Sequence, residues 1–276
     1  MKNYFQTVWN IINFITIICF TAIISWSLAS PYDLFSVFSP DLSSSLKHPF
    51  GTDIYGSDRL LQLSMAAVIN VKYALTAVVP YFVFGITIGL ILGYSDDRSV
   101  NEWNPRKNSL SVLRAIANLI TELFQSIPTA LVVVVGILVV NNAINHPSLR
   151  IYLVMVMYGF ACIPGLVYSI RDEVVRLRKK EFIHASKALG ITRWRLIMID
   201  ILWFSCGHII ISRTVNLFLS AIAIEIFASV YLSSSILTLG ALIGNPIYQL
   251  HATVLICMIF FCLRWFSERI TIEMNG

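Results

Sequence analysis

The sequence predicts an all-α membrane protein with about six transmembrane helices. Three observations carry this reading. Hydrophobic residues make up 57% of the 276-residue chain and charged residues 13%, about half the charged share of a soluble domain; mean hydropathy is +0.76. Six stretches approach the roughly 20 apolar residues needed to cross a bilayer: 8–29, 71–93, 115–140, 151–170, 199–232 and 247–266. Basic residues then fall in alternate connections. Arg98, Arg106, Lys107 and Arg114 share one loop. Arg171, Arg176, Arg178, Lys179, Lys180, Lys187, Arg193 and Arg195 share another, and Lys2, Arg264 and Arg269 lie towards the ends. The intervening loops hold only Lys47, Arg59 and Arg150. The positive-inside rule therefore predicts cytoplasmic termini.

The elements follow in order. Stretch 8–29 is longer than the apolar region of a signal peptide and reads as a retained anchor. Residues 30–65 carry Asp33, Asp41, Asp53 and Asp58, three prolines and the serines 43–45, which is loop chemistry on the outer side. This divides the chain into an anchor with its outer loop, 1–65, and a helical core, 66–276. Pro80, Pro128 and Pro164 lie inside the second, third and fourth stretches and are expected to kink them, because proline removes a helical hydrogen bond. The fifth stretch exceeds one crossing and is expected to tilt or to bend back at the outer surface.

The connection at 171–202 is the most informative segment. Its centre, EFIHASKALG, places Phe182, Ala185 and Leu189 on one helical face, with Lys180, His184 and Lys187 largely elsewhere. Gly190 follows where a left-handed cap suits glycine, and Thr192 can start the next helix. The product is a short capped helix at the cytoplasmic face on which another protein could push. An ordinary solvated loop is the plain alternative.

Three ionisable residues fall within apolar stretches: Glu122, Arg213 and Glu225. Each is expected to face protein or water rather than lipid, as a helix–helix contact or as part of an ion relay. Glu225 and Glu122 are the first candidates to neutralise Arg213. A direct Arg213–Glu225 pair would have to close about 18 Å along a straight helix, so a partner on a second subunit is a third option. The five cysteines all lie in apolar stretches without metal-ligand spacing, and no metal site is expected. There is no phosphate-binding glycine loop, GxSxG or HExxH, and His184 and His208 are isolated, so no catalytic constellation is expected. No basic patch is interleaved with exposed aromatics, which argues against nucleic acid as a partner.

Three segments resemble the second (C-type) permease subunit of dipeptide, oligopeptide and nickel importers, within the type I ABC importers. In HPFGTDIYGSDRL, residues His48, Pro49, Gly51, Thr52, Asp53, Gly56 and Asp58 match the family's outer-loop signature, with Ser57 in place of an arginine. In ITELFQSIPT, Glu122 stands for the usual aspartate and Pro128 matches. The basic loop resembles the family's EAA loop: His184, Ala185 and Ser186 take the Glu-Ala-Ala positions and Gly190 its glycine. Pro164, Arg171, Glu173 and Glu181 fit upstream, and Glu225 and Ser229 fit a Glu-x-x-x-Ser in the fifth span. Leu202 replaces a closing proline, and the outer segment SVYLSSSILTLGALIG departs from the family pattern.

The resemblance implies a type I ABC importer permease fold in a bacterial cytoplasmic (inner) membrane, with membrane lipid around it. It implies a homologous permease, two cytoplasmic ABC ATPases that carry ATP and Mg, and an outer substrate-binding protein as partners, with no cofactor on this chain. Glu181, Phe182, Ala185, Ser186, Leu189 and Gly190 would form the ATPase-coupling helix, and peptides would be the cargo. A nickel or metal chelate is the alternative cargo. An ion-coupled secondary transporter and a non-transporting scaffold are the alternative functions.

Overall fold

The computed structural model describes residues 36–95, 105–178, 205–232 and 237–275, together with positions 18, 21, 22, 25, 180, 181, 189, 190, 195, 197, 201 and 202. Seven named helices lie among them: α1 (Arg59–Ser95), α2 (Pro105–Ser126), α3 (Thr129–Ala143), α4 (Pro147–Arg178), α5 (Gly207–Tyr231), α6 (Leu239–Ile243) and α7 (Gln249–Asn275). The described residues form no strand beyond one isolated antiparallel bridge, Thr52 to Asp58. In α1, α4, α5 and α7 there is a segment long and apolar enough to cross a membrane; α2 and α3 make a fifth if counted as one bent span. The expected first span, 8–29, lies outside the described residues except for four positions.

The three prolines behave differently. Pro80 lies inside α1 and Pro164 inside α4, and both helices continue through them. At Pro128 the expected single span is broken instead, and α2 and α3 meet at 81°. The residue before a proline is pushed out of helical geometry, while proline itself suits the start of a new helix. Leu131 N and Val132 N both donate to Pro128 O, at 2.9 and 3.2 Å. The fifth span also differs from expectation. It begins at Gly207, so the surplus length lies before the helix rather than beyond its far end. Cys206 N donates to Ile201 O at 2.8 Å, a five-residue reach typical of a π-type turn.

The chain divides into two compact units. The first comprises Met1–Leu75, Ile137–Met155 and Leu219–Phe266. Its core includes Leu61, Leu63, Ile151, Met155, Ile222, Leu232 and Leu239, each almost wholly buried. Tyr73 meets Tyr152 edge-on, with ring centroids 4.7 Å apart. Arg150 closes the turn between α3 and α4, donating from Nη1 to Asn141 Oδ1 at 2.8 Å and from Nε to Ile144 O.

The second unit comprises Thr76–Gly136, Val156–Phe218 and Ser267–Gly276. Here α1 presents Gly85, Gly89 and Gly93 at intervals of four. A Cβ on each would come within 2.6, 2.9 and 2.7 Å of Leu166, Ile170 and Val174 of α4. Small residues at this spacing let two helices approach closely, which is how helices associate where lipid removes the hydrophobic driving force. Gly159 extends the seam: a Cβ there would meet Ala77 O at 2.3 Å and the Pro80 ring at 2.9 Å. Leu92, Ala117, Ile163 and Val167 form a buried cluster in this unit.

Candidate functional site

The HPFGTDIYGSDRL segment is tied into a compact knot at the start of α1. Gly51 and Gly56 hold φ of +70° and +79°, a left-handed backbone that glycine adopts without strain. A Cβ on either would fall 2.2 Å from a backbone oxygen, of Leu42 and Phe38 respectively. Thr52, wholly buried, donates its hydroxyl to Ser39 O at 2.7 Å and accepts from Leu42 N at 2.9 Å. The two turns bring the motif's polar side chains inward.

Both aspartates are then consumed by internal donors. Asp53 Oδ1 accepts from Tyr55 N and Ser57 N at 2.9 and 2.8 Å, and Oδ2 accepts from Tyr248 Oη at 2.8 Å. Asp58 Oδ1 accepts from Leu61 N at 3.0 Å, an N-cap for the first turn of α1. Its Oδ2 lies 2.7 Å from His48 Nδ1, and the His48 ring packs on Phe38 with centroids 4.5 Å apart. His48, Asp53 and Asp58 are all buried. These carboxylates have little lone-pair capacity left for an external ligand. Chemically the motif is a brace. It shapes a surface on which Val37, Leu46, Ile54 and Tyr55 are exposed, Leu46 completely.

A second buried polar group lies in the same unit. Glu225, two turns before the end of α5, is fully buried and its Oε2 accepts from Asn70 Nδ2 of α1. Asn70 Oδ1 in turn accepts from Leu239 N, the first residue of α6, at 3.1 Å. Thr238 caps α6 by accepting from Ala241 N at 3.2 Å. One turn beyond Glu225, Ser229 lies where a Cβ on Gly240 would strike its Oγ at 1.9 Å. The Glu-x-x-x-Ser spacing thus presents two residues on one face of α5 towards α6.

The structure distributes the sequence-derived residues unevenly. Gly51, Thr52, Asp53, Gly56 and Asp58 are brought together. Glu225 is buried against Asn70 rather than paired with Arg213. Glu122 on α2 is exposed, and so is Arg213 on α5. Arg213 lies near enough to the Tyr81 phenol to interact with it, and among the described residues no carboxylate pairs with it. Of the proposed coupling helix, Glu181, Leu189 and Gly190 are described. All three are exposed, and Gly190 has φ +75°. Phe182, Ala185, Ser186 and the expected cap Thr192 lie outside the described residues. Sequence reasoning missed Asn70, Tyr248 and Thr238. The signal for Asn70 was a lone amide just ahead of the apolar stretch that begins at 71. Burial, followed by the Asp53 carboxylate, pushes the Tyr248 phenol up, so it stays a donor.

This architecture defines a class. The chain is an all-α polytopic membrane protein with the fold of an ABC importer permease. It superposes on a chain of the MetNI methionine ABC transporter, solved in inward-facing conformations, with a TM-score of 0.54, covering 77% of this chain and 96% of that one at 15% identity. The particular relatives come from sequence. The chain is a homologue of the dipeptide transport system permease protein DppC of Alkalihalophilus pseudofirmus, 28% identical across 71% of this chain and 62% of that protein. DppC of Bacillus subtilis is 24% identical across 80% of this chain and 61% of its own length. The oligopeptide transport system permease protein OppC of Bacillus subtilis is 23% identical across 73% and 58%. The chain thus spans less than two thirds of the length of these relatives. No family model matches it.

Proposed function

We propose that this chain is a transmembrane permease subunit of a peptide importer of the ATP-binding-cassette type. The observation that carries the reading is the braced HPFGTDIYGSDRL loop on a permease fold, in a chain whose homologues are peptide-system permeases. With its termini in the cytoplasm, as the basic asymmetry favours, the braced loop faces outward. Its exposed Val37, Leu46, Ile54 and Tyr55 then suit contact with a substrate-binding protein. The 181–190 segment faces inward and suits contact with an ATPase. Energy would come from ATP hydrolysed on partner subunits, and a homologous permease would supply the other half of the path. Differential contacts in two states would alternate access across the membrane.

The test is reconstitution. The chain, co-expressed with a homologous permease, two ABC ATPases and a substrate-binding protein from the same organism, is placed in proteoliposomes and supplied with a labelled dipeptide. ATP-dependent uptake that persists when the proton gradient is collapsed supports the reading. Uptake that follows the gradient at clamped ATP overturns it in favour of an ion-coupled transporter. Stable assembly with no uptake of dipeptides, longer peptides or nickel chelates overturns it in favour of a scaffold.

A further inference from the structure

Glu225 is an ionisable group wholly withdrawn from solvent within a membrane-spanning helix. Its surroundings within the first unit are few. Asn70 donates to Oε2, Oε1 is buried with no hydrogen-bond partner among the described residues, and the Tyr73 phenol lies nearby. Among the described residues no Lys, Arg or His pairs with it. One amide does not replace the hydration shell of a carboxylate, and an uncompensated buried charge is strongly destabilising. An uncharged acid accepts the same bond from Asn70 without that penalty.

Asn70 makes this group more than a local contact. Its amide is used at both ends, giving a proton to Glu225 and taking one from Leu239 N. Three elements, α1, α5 and α6, therefore meet on one side chain. α6 has five residues and is too short to hold itself as a helix. Leu239 and Gly240 are nevertheless fully packed, and Gly240 lies so close to α5 that a Cβ would meet Ser229 Oγ and Ile226 O.

We propose that Asn70 and Glu225 form a latch that seats α6 on α1 and α5, with Glu225 working as an uncharged acid rather than as an ion carrier. Ser229 completes the latch by leaving room for Gly240. This gives the Glu-x-x-x-Ser spacing a physical purpose: one residue anchors α6 through Asn70, and the next turn admits its backbone. The latch does not depend on which cargo the chain moves or on whether it moves one.

Amide hydrogen exchange of residues 237–243 in the full chain, reconstituted in lipid nanodiscs, tests the latch without reference to transport. Asn70→Ala removes both bonds and should speed exchange of this segment by about tenfold. Gly240→Ala should do the same by forcing α6 away while Asn70 and Glu225 stay intact. Glu225→Gln keeps an acceptor for Asn70, carries no charge, and should leave exchange within about twofold of the parent. Parental exchange in Asn70→Ala would show that α6 is held by other means. Exchange in Glu225→Gln as fast as in Asn70→Ala would show that the group must be charged. Either result overturns the proposal, and Gly240→Ala and Glu225→Gln decide it should Asn70→Ala fail to fold.

Discussion

Tyr248 gives its phenolic proton to Asp53 at 2.8 Å across 195 residues of sequence. The donor is almost wholly buried, and the acceptor is the central aspartate of the braced loop. Tyr248→Phe leaves Asp53 Oδ2 without a partner while Oδ1 keeps its two backbone donors. The expected loss is about 1–3 kcal/mol, read as a lower thermal midpoint of the purified chain in detergent. The phenol also sets a pH dependence. Because burial and then Asp53 raise it above its ordinary 10.0, the native state keeps a proton that the unfolded chain releases. Its contribution is complete below pH 10 and falls as pH rises beyond that. The alkaline loss of stability should therefore be shallower in Tyr248→Phe than in the parent. Parallel alkaline curves would contradict this assignment.

The two left-handed glycines predict a contrast. Gly51→Ala and Gly56→Ala each meet a backbone oxygen at 2.2 Å and carry a conformational penalty of roughly 1–2 kcal/mol besides. Both should lower the thermal midpoint sharply or prevent accumulation in the membrane. Gly165→Ala is the control, since no atom of the described residues lies within 4 Å of a Cβ there, and it should behave as the parent. Equal behaviour of all three variants would remove the brace from the account.

At the proposed coupling segment, two substitutions separate backbone from contact. Gly190→Ala meets no atom of the described residues within 4 Å, and its expected effect is the strain of a positive φ, about 1–2 kcal/mol. Ala185→Asp sets a charge into an expected protein contact, worth a few kcal/mol if unpaired. The second should reduce both ATPase co-purification and ATP-driven uptake. Full retention with full uptake would place the ATPase contact elsewhere.

Topology is checked by labelling. In a background without native cysteines, Ser44→Cys and Asn245→Cys should react with an impermeant thiol reagent added outside intact cells, and Lys179→Cys should not. Ready labelling at 179 would reverse the orientation that the basic residues favour.

How far the sequence carried depended on how local the cause was. Apolar length located the spans in α1, α4, α5 and α7 because burial in lipid demands length and little else. The motif around Asp53 was legible as a pattern, and its turns follow from glycines at positive φ. The prolines were not separable by sequence. Pro80 and Pro128 give the same local signal, yet only Pro128 breaks its helix. Pro80 lies in a seam where α4 offers Gly159 at the contact, a partner 79 positions away that no periodicity reveals. The charge on Arg213 suggested Glu225 or Glu122 as a mate, and the Glu225 carboxyl pairs with neither Arg213 nor another cation among the described residues. The carboxyl instead found an amide 155 residues distant, because a buried acid needs hydrogen-bond donors more than it needs an opposite charge. The start of α5 at Gly207 was hidden because residues 199–206 are as apolar as the helix that follows. The glycines at 85, 89 and 93 stood in plain view, and only the packed α4 shows what their spacing serves.

The Tyr248–Asp53 bond also imposes an order of events on biosynthesis. At about 5–20 residues per second, the ribosome needs on the order of 10–40 s to pass from Asp53 to Tyr248. Through that interval the loop's carboxylate lacks its last donor. The brace closes only after residue 248 has been made. A product that stops before residue 248 carries a brace with one bond to Asp53 unmade.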